Sequence, residues 1–390
     1  MQVTTITMDD VQYPYRLGTD CLDGIVTRLG ELGASRYLIV SDPRVAELYG
    51  QGLRERLAEQ AGPAELITHA SGEQNKGLPA LHDLAEEALR RGADRQSIVV
   101  ALGGGVTGNI AGLLAALLFR GIRLVHVPTT VVAMLDSVLS LKQAVNAGVG
   151  KNLVGTFYQP VEVLADTAML RTLPVREVRS GMCEVVKNSL AIRPSMIDQL
   201  SAGLRPDGRY PDDTMHWIIY ESLAAKAQVT AYDKYERGEG LILEYGHTVG
   251  HAVEHSSQGA VPHGAAVALG MIAAAQVSHR AGWASAELVD LHRELVAKTG
   301  VARRIPSDIP LSAVRHRLSF DNKRGYLPAS ADTYPMVLLE SPGKVLRSEG
   351  TVLTAAPRDL VDAVVDELAE PPRPAAARTD DAATVLGGAG

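Results

Sequence analysis

Hydrophobic residues in the first 170 positions form short continuous runs that alternate with longer amphipathic stretches. The apolar, β-branched runs predict strands at 37–41, 65–68, 97–102 and 123–127. Apolar residues spaced three and four apart predict helices at 45–60, 78–91 and 109–119. Strands and helices in alternation indicate a largely parallel sheet that is covered on both faces, so we expect a Rossmann-like α/β domain over residues 1–172.

From about residue 175 the pattern changes to long helical periodicity. The apolar spacing predicts helices at 178–192, 214–232, 245–256, 264–281 and 286–299. This predicts a second, mostly helical domain over residues 173–368. The last segment, 369–390, is rich in proline, alanine and glycine and has no periodic apolar face, so we expect a disordered tail without a catalytic role.

The composition is that of a folded protein, with 46% hydrophobic and 21% charged residues. The chain has 38 basic and 45 acidic residues, a net charge of −7, which argues against nucleic acid as a partner. Two cysteines, Cys21 and Cys183, are too few for a disulfide scaffold, and the N-terminus lacks the pattern of a signal peptide. We therefore expect a cytoplasmic protein.

The stretch 97–119 has no charged residue and is about long enough to cross a bilayer as a helix. Its composition argues against that interpretation. Five glycines, together with Thr107 and Asn109, divide it into an apolar strand, a turn and the start of a helix. We therefore expect no membrane span.

The glycine turn, Gly103 to Gly108 (GGGVTG), matches G-x-G-x-x-G between a predicted strand and a predicted helix. Glycines at such a turn let the backbone approach a pyrophosphate at a helix N-terminus. The usual acid about twenty residues downstream is missing, and Asp42, at the end of an early strand, is the candidate ligand for a ribose. On this motif alone, a tight structural turn is an equal alternative.

Four of the eleven histidines lie between positions 247 and 263: His247, His251, His255 and His263. The first three are spaced four apart and share one helix face, which suggests a metal site or a proton-transfer site. The sequence HTVGH lacks the glutamate of H-E-x-x-H, so a metalloprotease is disfavoured. A solvated histidine stripe is the alternative.

A second candidate helix, SGMCEVVKN, presents Glu184, Lys187 and Asn188 on one surface. Two imidazoles and a carboxylate are a usual ligand set for a catalytic divalent metal, which makes Glu184 the candidate carboxylate. A surface Glu–Lys pair is the alternative.

Basic and amide groups also recur in loops, at Arg120, at Lys142, at Lys151 with Asn152, and in DNKRGY. In an acidic protein they favour recognition of a small phosphorylated compound, although each alone is typical of a solvated loop.

Taken together, seven ordered blocks resemble the dehydroquinate synthase family of sugar phosphate cyclases: GGGVTGNIAG, RGIRLVHVPTT, GKNLVGTFYQP, SGMCEVVKN, EYGHTVGHA, HGAAVALGM and DNKRGY. The resemblance runs from about Asp42 to Tyr326. It implies an N-terminal NAD-binding α/β domain, a helical metal-binding domain and an active site between them. It also implies a homodimer in which Arg120 reaches the neighbouring subunit.

The resemblance further assigns roles to individual residues. It implies that zinc or cobalt is held by Glu184, His247 and His263, while His251 and His255 are left as supporting or acid–base groups. The implied NAD contacts are Asp42, Glu73, Lys76, Gly104, Gly105, Val106, Thr107, Gly108, Asn109, Thr129, Thr130, Ser140, Lys151, Asn152 and Thr172. The implied substrate contacts are Arg120, Asp136, Lys142, Asn152, Lys187, Lys226, Glu244 and Lys323.

Departures from the family pattern bear on the substrate. Dehydroquinate synthases have an arginine and an asparagine where this chain has Gly240 and Glu244. A substrate carboxylate would meet a missing cation and an added anion, which is unfavourable at short range. We therefore expect the branch that cyclises glucose 6-phosphate for aminoglycoside antibiotics. In that branch, NAD is transiently reduced, phosphate is eliminated, and an intramolecular aldol closes the ring.

Two alternatives are a cyclase of sedoheptulose 7-phosphate and a metal-dependent polyol dehydrogenase, which would release NADH. Among the catalytic candidates, Glu244 is a carboxylate three residues before His247 that carboxylate recognition does not explain. Lys142 is the second candidate, as a phosphate or carbonyl ligand that could also transfer a proton, and His251 is the third.

Overall fold

The computed structural model describes residues 1–148, 150–321, 323–328 and 330–371. The strands of this part of the chain are β1 (Gln2–Met8), β2 (Val11–Gly18), β3 (Tyr37–Ser41), β4 (Ala64–Thr68), β5 (Ile98–Gly103), β6 (Arg123–Pro128), β7 (Lys142–Ala147), β8 (Gly150–Phe157), β9 (Glu162–Asp166), β10 (Thr333–Val337), β11 (Leu339–Ser341), β12 (Lys344–Val345) and β13 (Leu353–Pro357).

The α-helices of the same residues are α1 (Leu22–Leu32), α2 (Pro43–Val45), α3 (Gln51–Gln60), α4 (Leu78–Arg90), α5 (Gly105–Leu117), α6 (Val131–Leu135), α7 (Val175–Ala191), α8 (Ile197–Gly203), α9 (Asp212–Thr230), α10 (His247–Ser256), α11 (His263–Arg280), α12 (Ala286–Thr299), α13 (Leu311–Leu318) and α14 (Arg358–Leu368). A π-helical turn, Ala46–Gly50, joins α2 to α3.

Seven strands form the central sheet of the N-terminal half, in the order β1-β2-β9-β6-β5-β3-β4. Only the β1–β2 pair is antiparallel, and the other pairs are parallel. The five residues of β3 are all buried, and they alternate between two cores. Tyr37 and Ile39 pack with α1 and α3, whereas Leu38 and Val40 pack with α4 and α5. Helices therefore cover both faces, as the continuous apolar runs predict.

The C-terminal half is built mainly from helices α7 to α14 around one large core. The two short strand pairs β10–β13 and β11–β12 lie beside these helices. The predicted fold class, an α/β domain followed by a mostly helical one, is confirmed. The predicted boundary at 172/173 falls between β9 and α7 and stays a prediction.

Several elements differ from the sequence-based expectation. Helix α5 begins at Gly105, four residues before its predicted start, because the glycine-rich first turn has low helix propensity and masks the true N-terminus. The hairpins β1–β2 and β7–β8 and the C-terminal strand pairs were not predicted. Of the predicted disordered tail, residues 372–390 lie outside the described residues. Among the helices that the structure describes, none combines the length and the apolar character needed to cross a membrane.

The connectivity of the sheet reverses between β3 and β5. The chain runs outward from β3 to β4 and then returns to place β5 on the opposite side of β3. The carboxyl ends of β3 and β5 therefore flank a crevice, which is where open α/β sheets bind their ligands. Asp42 follows β3 and Gly104 follows β5, so the two sequence-predicted cofactor groups meet there.

Candidate active site

The glycine turn is shaped by close contacts with its neighbours. A Cβ on Gly103 would lie 2.6 Å from Oγ1 of Thr107, and one on Gly104 would lie 3.0 Å from Cγ2 of Thr130. The backbone N–H of Thr129 donates to the carbonyl of Gly103 at 2.9 Å. These contacts leave no room for side chains at the turn, so the amide groups at the start of α5 face the crevice directly.

The other predicted residues of the turn lie in the first two turns of α5. Thr107 is buried, and its hydroxyl lies 2.9 Å from Nε2 of His69. Val106 is half-buried, and the backbone N–H of Gly108 donates to the carbonyl of Gly104 at 2.9 Å. Thr130 caps α6 by accepting a hydrogen bond from the N–H of Ala133 at 3.1 Å. The turn is thus a rigid support with an open N-terminal end.

Asp42 lies on the other side of the crevice and caps α2. Its Oδ1 accepts hydrogen bonds from the N–H groups of Arg44 and Val45, at 3.0 and 3.2 Å. Asp42 is half-buried, so one carboxylate oxygen holds the turn after β3 while the carboxylate as a whole borders the crevice. This is the position in which a ribose hydroxyl would be bound.

A buried lysine, Lys76, contacts three other predicted cofactor residues. Nζ of Lys76 lies 2.9 Å from Oε1 of Glu73, and it donates to Oδ1 of Asn109 at 3.2 Å and to Oδ1 of Asn152 at 2.7 Å. Glu73 also accepts a hydrogen bond from Asn146 on β7 at 2.9 Å. The cluster therefore joins α5 to the β7–β8 hairpin.

Three helices bring the predicted metal ligands together. Glu184 is on α7, His247 is the first residue of α10, and His263 is the first residue of α11. The potential ligand atoms of these three residues lie within 4.8 Å of one another. Helices α7, α10 and α11 therefore bring together the three residues that the family resemblance implies as metal ligands.

Glycines allow these helices to touch backbone to backbone. A Cβ on Gly264 of α11 would lie 1.9 Å from the carbonyl oxygen of Ser180 on α7, and one on Gly270 would lie 1.8 Å from that of Gly246, just before α10. Any larger residue at positions 264 and 270 would push the helices apart. The spacing of the three ligands therefore depends on these two glycines.

The donor atoms suit a divalent metal. Nδ1 of His247 donates to the carbonyl of Tyr245 at 3.1 Å, and Nδ1 of His263 donates to Oε2 of Glu254 at 2.9 Å. Nε2 is therefore the ring nitrogen that each histidine offers to a metal. Burial lowers the pKa of His263, but the hydrogen bonds and charges of Glu184 and Glu254 outweigh burial and raise it to about 10, so Nε2 of His263 must release a proton when a metal binds. Glu184 is buried, and within the described residues neither carboxylate oxygen has a well-directed hydrogen bond. Its contacts are Nζ of Lys187 at 2.8 Å and Nε2 of His263 at 3.4 Å.

The charges around the centre fix the ionisation of its groups. Burial raises the pKa of Glu184, but the positive charge of Lys187 and the hydrogen bond from His263 outweigh burial, so the pKa lies well below its usual range. Burial lowers the pKa of His247. An ionised carboxylate and a neutral imidazole are the forms that bind a metal.

Four of the predicted lysines lie near this centre or face it, and all are paired with acids. Lys187 pairs with Glu184 as described. Nζ of Lys226 donates to Oδ1 of Asp136 at 2.6 Å, and Nζ of Lys142 donates to Oε2 of Glu236 at 2.5 Å. Burial lowers the pKa of Lys142, but Glu236 raises it above its ordinary value, so the lysine is held protonated. Lys226 also lies 3.8 Å from Oε1 of Glu236.

The fourth lysine, Lys323, connects to the predicted catalytic carboxylate. Its Nζ lies 3.2 Å from Oε2 of Glu244 and 2.9 Å from Oδ1 of Asp321. Burial raises the pKa of Glu244, but the positive charge and the hydrogen bond of Lys323 outweigh burial and hold the pKa well below its usual range. Glu244 is therefore ionised at neutral pH and able to accept a proton.

His251 and His255 occupy different surroundings. The ring centroid of His251 lies 4.9 Å from that of His247 and 5.8 Å from that of His263. Burial and the neighbouring His247 lower the pKa of His251 well below its ordinary value, so His251 is neutral and can act as a base. Among the described residues, a second group that could hold a metal consists of His251, Glu254 and His263, and His255 belongs to neither group.

Other predicted residues lie at the edges of the site or away from it. Ser140 accepts a hydrogen bond from the N–H of Lys142 at 3.2 Å, and the hydroxyl of Thr172 lies 2.6 Å from that of Tyr49. Lys151 pairs with Glu254 at 2.7 Å. Arg120 is exposed with a positive φ of 68° and lies beyond the C-terminal end of α5, roughly 20 Å along that helix from the glycine turn.

Two residues of the site, Glu236 and Glu254, were not predicted. Glu236 lies in a loop without periodicity, and nothing in the sequence indicated that it meets Lys142. Glu254 had a usable signal, because it lies seven residues after His247 on α10 and therefore on the same face of that helix.

Comparison with known proteins places this geometry in a family. Residues 66–180 match the family model for the N-terminal part of 3-dehydroquinate synthase, and residues 181–324 match that for its C-terminal part. The chain belongs to the dehydroquinate synthase family. The predicted family is thus confirmed, and the two models cover the glycine turn and every predicted metal ligand.

Relatives within the family are similar along nearly the whole chain. The 2-deoxy-scyllo-inosose synthase of Streptoalloteichus tenebrarius is 71% identical over 95% of this chain and 96% of its own. That of Streptomyces paromomycinus is 65% identical over 95% and 96%, respectively. A crystal structure of 2-deoxy-scyllo-inosose synthase complexed with carbaglucose-6-phosphate, NAD+ and Co2+ is 37% identical, with a TM-score of 0.89 over 94% of this chain and 100% of the other.

Proposed function

We propose that this enzyme converts D-glucose 6-phosphate to 2-deoxy-scyllo-inosose with loss of phosphate, as a step of aminoglycoside antibiotic biosynthesis. By this reaction it is a carbon–oxygen lyase acting on a phosphate ester. The similarity to 2-deoxy-scyllo-inosose synthases along nearly the whole chain supports the proposal. The site itself supports it independently, through the surroundings of positions 240 and 244.

Position 240 has no room for a cation. The carboxylate of Asp233 accepts hydrogen bonds from the N–H groups of Gly238 and Gly240 at 2.7 and 2.8 Å. A Cβ on Gly240 would lie 2.9 Å from Oδ2 of Asp233 and 3.1 Å from Cβ of Glu236. An arginine there could not be accommodated without displacing this turn, so the site lacks the residue that would pair with a substrate carboxylate.

Position 244 carries a negative charge, opposite to that of the missing arginine. Glu244 is ionised and lies beside the candidate metal centre, held by Lys323. A substrate carboxylate in this region would be repelled by Glu244, whereas the hydroxyl groups of an aldose would donate hydrogen bonds to it. The choice of substrate rests on this observation: the chain lacks the arginine at position 240 and has an added carboxylate at position 244.

The residues of the site fit NAD and a divalent metal, which are both present in the crystal structure of the relative. NAD would lie in the crevice between β3 and β5, with its pyrophosphate at the N-terminus of α5 and a ribose at Asp42. A divalent cobalt or zinc ion would be held by Glu184, His247 and His263. When bound, NAD supplies reversible hydride transfer and the metal lowers the pKa of a coordinated sugar hydroxyl.

The lysines of the site would bind the phosphate ester. Lys142, Lys226 and Lys323 are each held by a carboxylate, which orients them before the substrate arrives. A phosphate can replace these carboxylates as the hydrogen-bond acceptor, because its oxygens accept strong charge-assisted bonds. Asn152, beside Lys76, and Lys187 complete the polar lining that we assign to the substrate.

Proton transfer requires one group that accepts and one that donates at neutral pH. We assign acceptance to Oε2 of Glu244, which is ionised, and to the neutral imidazole of His251. Lys142 is protonated and is assigned to donation towards the departing phosphate. Groups of opposite protonation state on two sides of a site are the arrangement that general acid–base catalysis needs.

The reaction is tested by measuring phosphate release from three candidate substrates while absorbance at the NADH band is followed. The substrates are glucose 6-phosphate, sedoheptulose 7-phosphate and the carboxylate-bearing precursor of dehydroquinate. Phosphate release from glucose 6-phosphate, without accumulation of NADH, is expected. Release from either of the other two alone would contradict the proposed substrate, and steady NADH formation would indicate a dehydrogenase.

We also propose that the protein is a homodimer. Strand β8 pairs with β7 on one side, and its residues Leu153, Val154 and Phe157 are exposed. Apolar side chains on an open strand are typical of a surface that a second copy covers. Sedimentation equilibrium that gives the mass of one chain would contradict this.

A cytoplasmic location is proposed on the basis of two cysteines that are both unpaired.

A further inference from the structure

Glu254 uses its two carboxylate oxygens for two different halves of the molecule. Oε2 accepts a hydrogen bond from Nδ1 of His263 at 2.9 Å, and Oε1 accepts one from Nζ of Lys151 at 2.7 Å. The side chain of Glu254 is 14% exposed, so its carboxylate is mostly shielded from water. One contact is to a predicted metal ligand, and the other is to the β7–β8 hairpin.

The contact with His263 decides which ring nitrogen faces the metal centre. A carboxylate can only accept, so Nδ1 of His263 carries the proton and Nε2 points towards Glu184, at 3.4 Å. His263 opens α11, where its side chain has fewer helix neighbours to restrain it than a residue in the middle of a helix would have. Without Glu254, rotation of this ring would turn Nε2 away from the centre.

The contact with Lys151 continues towards the cofactor crevice. Lys151 is followed on β8 by Asn152, whose Oδ1 accepts from Lys76 at 2.7 Å. Lys76 also donates to Asn109 on α5, the helix whose N-terminus carries the glycine turn. Two sets of polar contacts, joined by the peptide bond between Lys151 and Asn152, therefore run from the predicted metal ligand His263 to Asn109 of α5.

We propose that Glu254 is a positioning residue that orients His263 for the metal and, through Lys151, links metal affinity to cofactor binding. This inference rests on the proposed function, because it assumes that Glu184, His247 and His263 hold a metal. Coupling of this kind is reciprocal, so NAD should strengthen binding of the metal by the same factor by which the metal strengthens binding of NAD.

The first experiment measures cobalt affinity directly, by competition with a chromophoric chelator, in the full chain without substrate. Glu254→Gln is expected to weaken cobalt binding about 10- to 100-fold and to change the visible spectrum of bound cobalt. Glu254→Asp keeps the charge on a shorter side chain and is expected to lose less. Cobalt binding by Glu254→Gln with wild-type affinity and spectrum would overturn the proposal.

A matched control is Glu221→Gln. Glu221 forms an ion pair of the same length, 2.7 Å, with Arg193, and its side chain is 18% exposed, close to the value for Glu254. It lies on α9 and contacts none of the metal ligands. Cobalt affinity should be unchanged in this variant, and circular dichroism of each variant shows whether it folds. If Glu254→Gln does not fold, Glu254→Asp and a second variant, Lys151→Met, still test the proposal.

The second experiment tests the link through the hairpin. Lys151→Met removes the contact with Oε1 of Glu254 and leaves the contact between Oε2 and His263. In the wild-type chain, saturating NAD is expected to tighten cobalt binding several-fold, and in Lys151→Met this effect should disappear. An equal effect of NAD in both chains would overturn the link. A wild-type chain that binds no cobalt would instead contradict the metal site of the proposed function.

Discussion

The ammonium group of Lys323 lies between two carboxylates, with its Nζ 3.2 Å from Oε2 of Glu244 and 2.9 Å from Oδ1 of Asp321. The lysine keeps Glu244 ionised, although burial alone would raise the pKa of this carboxyl group. Binding of a phosphate to Lys323 would weaken its hold on Glu244 and raise the pKa of that carboxylate. The readiness of Glu244 to accept a proton would then depend on whether substrate is present.

Replacement of Glu244 by glutamine should reduce turnover by about 10²- to 10⁴-fold, because the amide cannot accept the proton. NAD affinity should not change, since Glu244 does not border the crevice between β3 and β5. Phosphate release and calorimetric titration with NAD measure the two quantities. Glu239→Gln is the control, because Glu239 is an exposed acid five residues earlier that pairs with Arg347. Near-normal turnover of Glu244→Gln would remove the assignment.

The pH dependence of kcat/KM should change when Lys323 is replaced by methionine. Lys323 lowers the pKa of Glu244, so its removal raises that pKa, and a higher pH is then needed to ionise the carboxylate. The acidic limb of the profile should move to higher pH, and KM should rise because a phosphate ligand is lost. An acidic limb at its wild-type position would show that Glu244 does not govern it.

Gly240→Ala should disturb the turn that carries Glu236 and thereby Lys142. The new Cβ would lie 2.9 Å from Oδ2 of Asp233, so the turn must shift, at a cost of about 1–3 kcal/mol in the free energy of unfolding. Thermal unfolding and phosphate release should both be impaired. Gly52→Ala, in helix α3, meets nothing within 4 Å and should stabilise slightly. Unchanged stability and turnover in Gly240→Ala would contradict the crowding described.

Thorough chelation should abolish phosphate release, and cobalt or zinc should restore it, whereas magnesium should not. A site of two imidazoles and one carboxylate favours these metals over magnesium, which prefers oxygen ligands. Glu184→Gln should need far more cobalt for recovery than the wild-type chain. Activity that survives chelation would discredit the centre formed by Glu184, His247 and His263.

Stability should fall in acid partly because of His126. This residue is 2% exposed on β6, and within the described residues neither ring nitrogen has a hydrogen-bond partner. Burial lowers its pKa from 6.5 to about 4. Below pH 6.5 the unfolded chain binds a proton that the folded chain does not, so unfolding becomes more favourable until about pH 4, by about 3 kcal/mol in all.

His126→Leu should therefore lose less stability than the wild-type chain between pH 6.5 and 4. Urea unfolding at several pH values measures this. His82→Leu, at an exposed position of α4, is the control and should follow the wild-type curve. Parallel curves for His126→Leu and the wild-type chain would show that His126 is not the group responsible.

The sequence predicted those elements whose pattern is strong within a single segment. Strand β3 was identified because both of its faces are buried, which makes it a continuous apolar run, and helix α12 matched its predicted bounds. The β7–β8 hairpin was not identified. The side chains of β8 from Asn152 to Phe157 are exposed, so the strand shows no alternation between buried and exposed positions. Its pairing is decided by contacts with distant residues.

The glycine turn is visible in the residue types and their spacing, and the ordered family blocks point to Glu184, His247 and His263, which lie together in the structure. The two carboxylates that hold lysines of the site could not be predicted. Glu236 meets Lys142 across 94 positions of the chain, and Glu254 meets Lys151 across 103. Such contacts depend on how the hairpin lies against the helices, and no local pattern records that.

The glycines at 264 and 270 have a consequence for the loss and return of the metal. Because main-chain atoms of α11 touch those of α7 and of the turn before α10, the three helices have no space into which they could relax once the ion leaves. The empty centre should therefore keep the separation of its ligands. Reloading should then proceed at a rate proportional to the ion concentration, without a slow rearrangement of the chain.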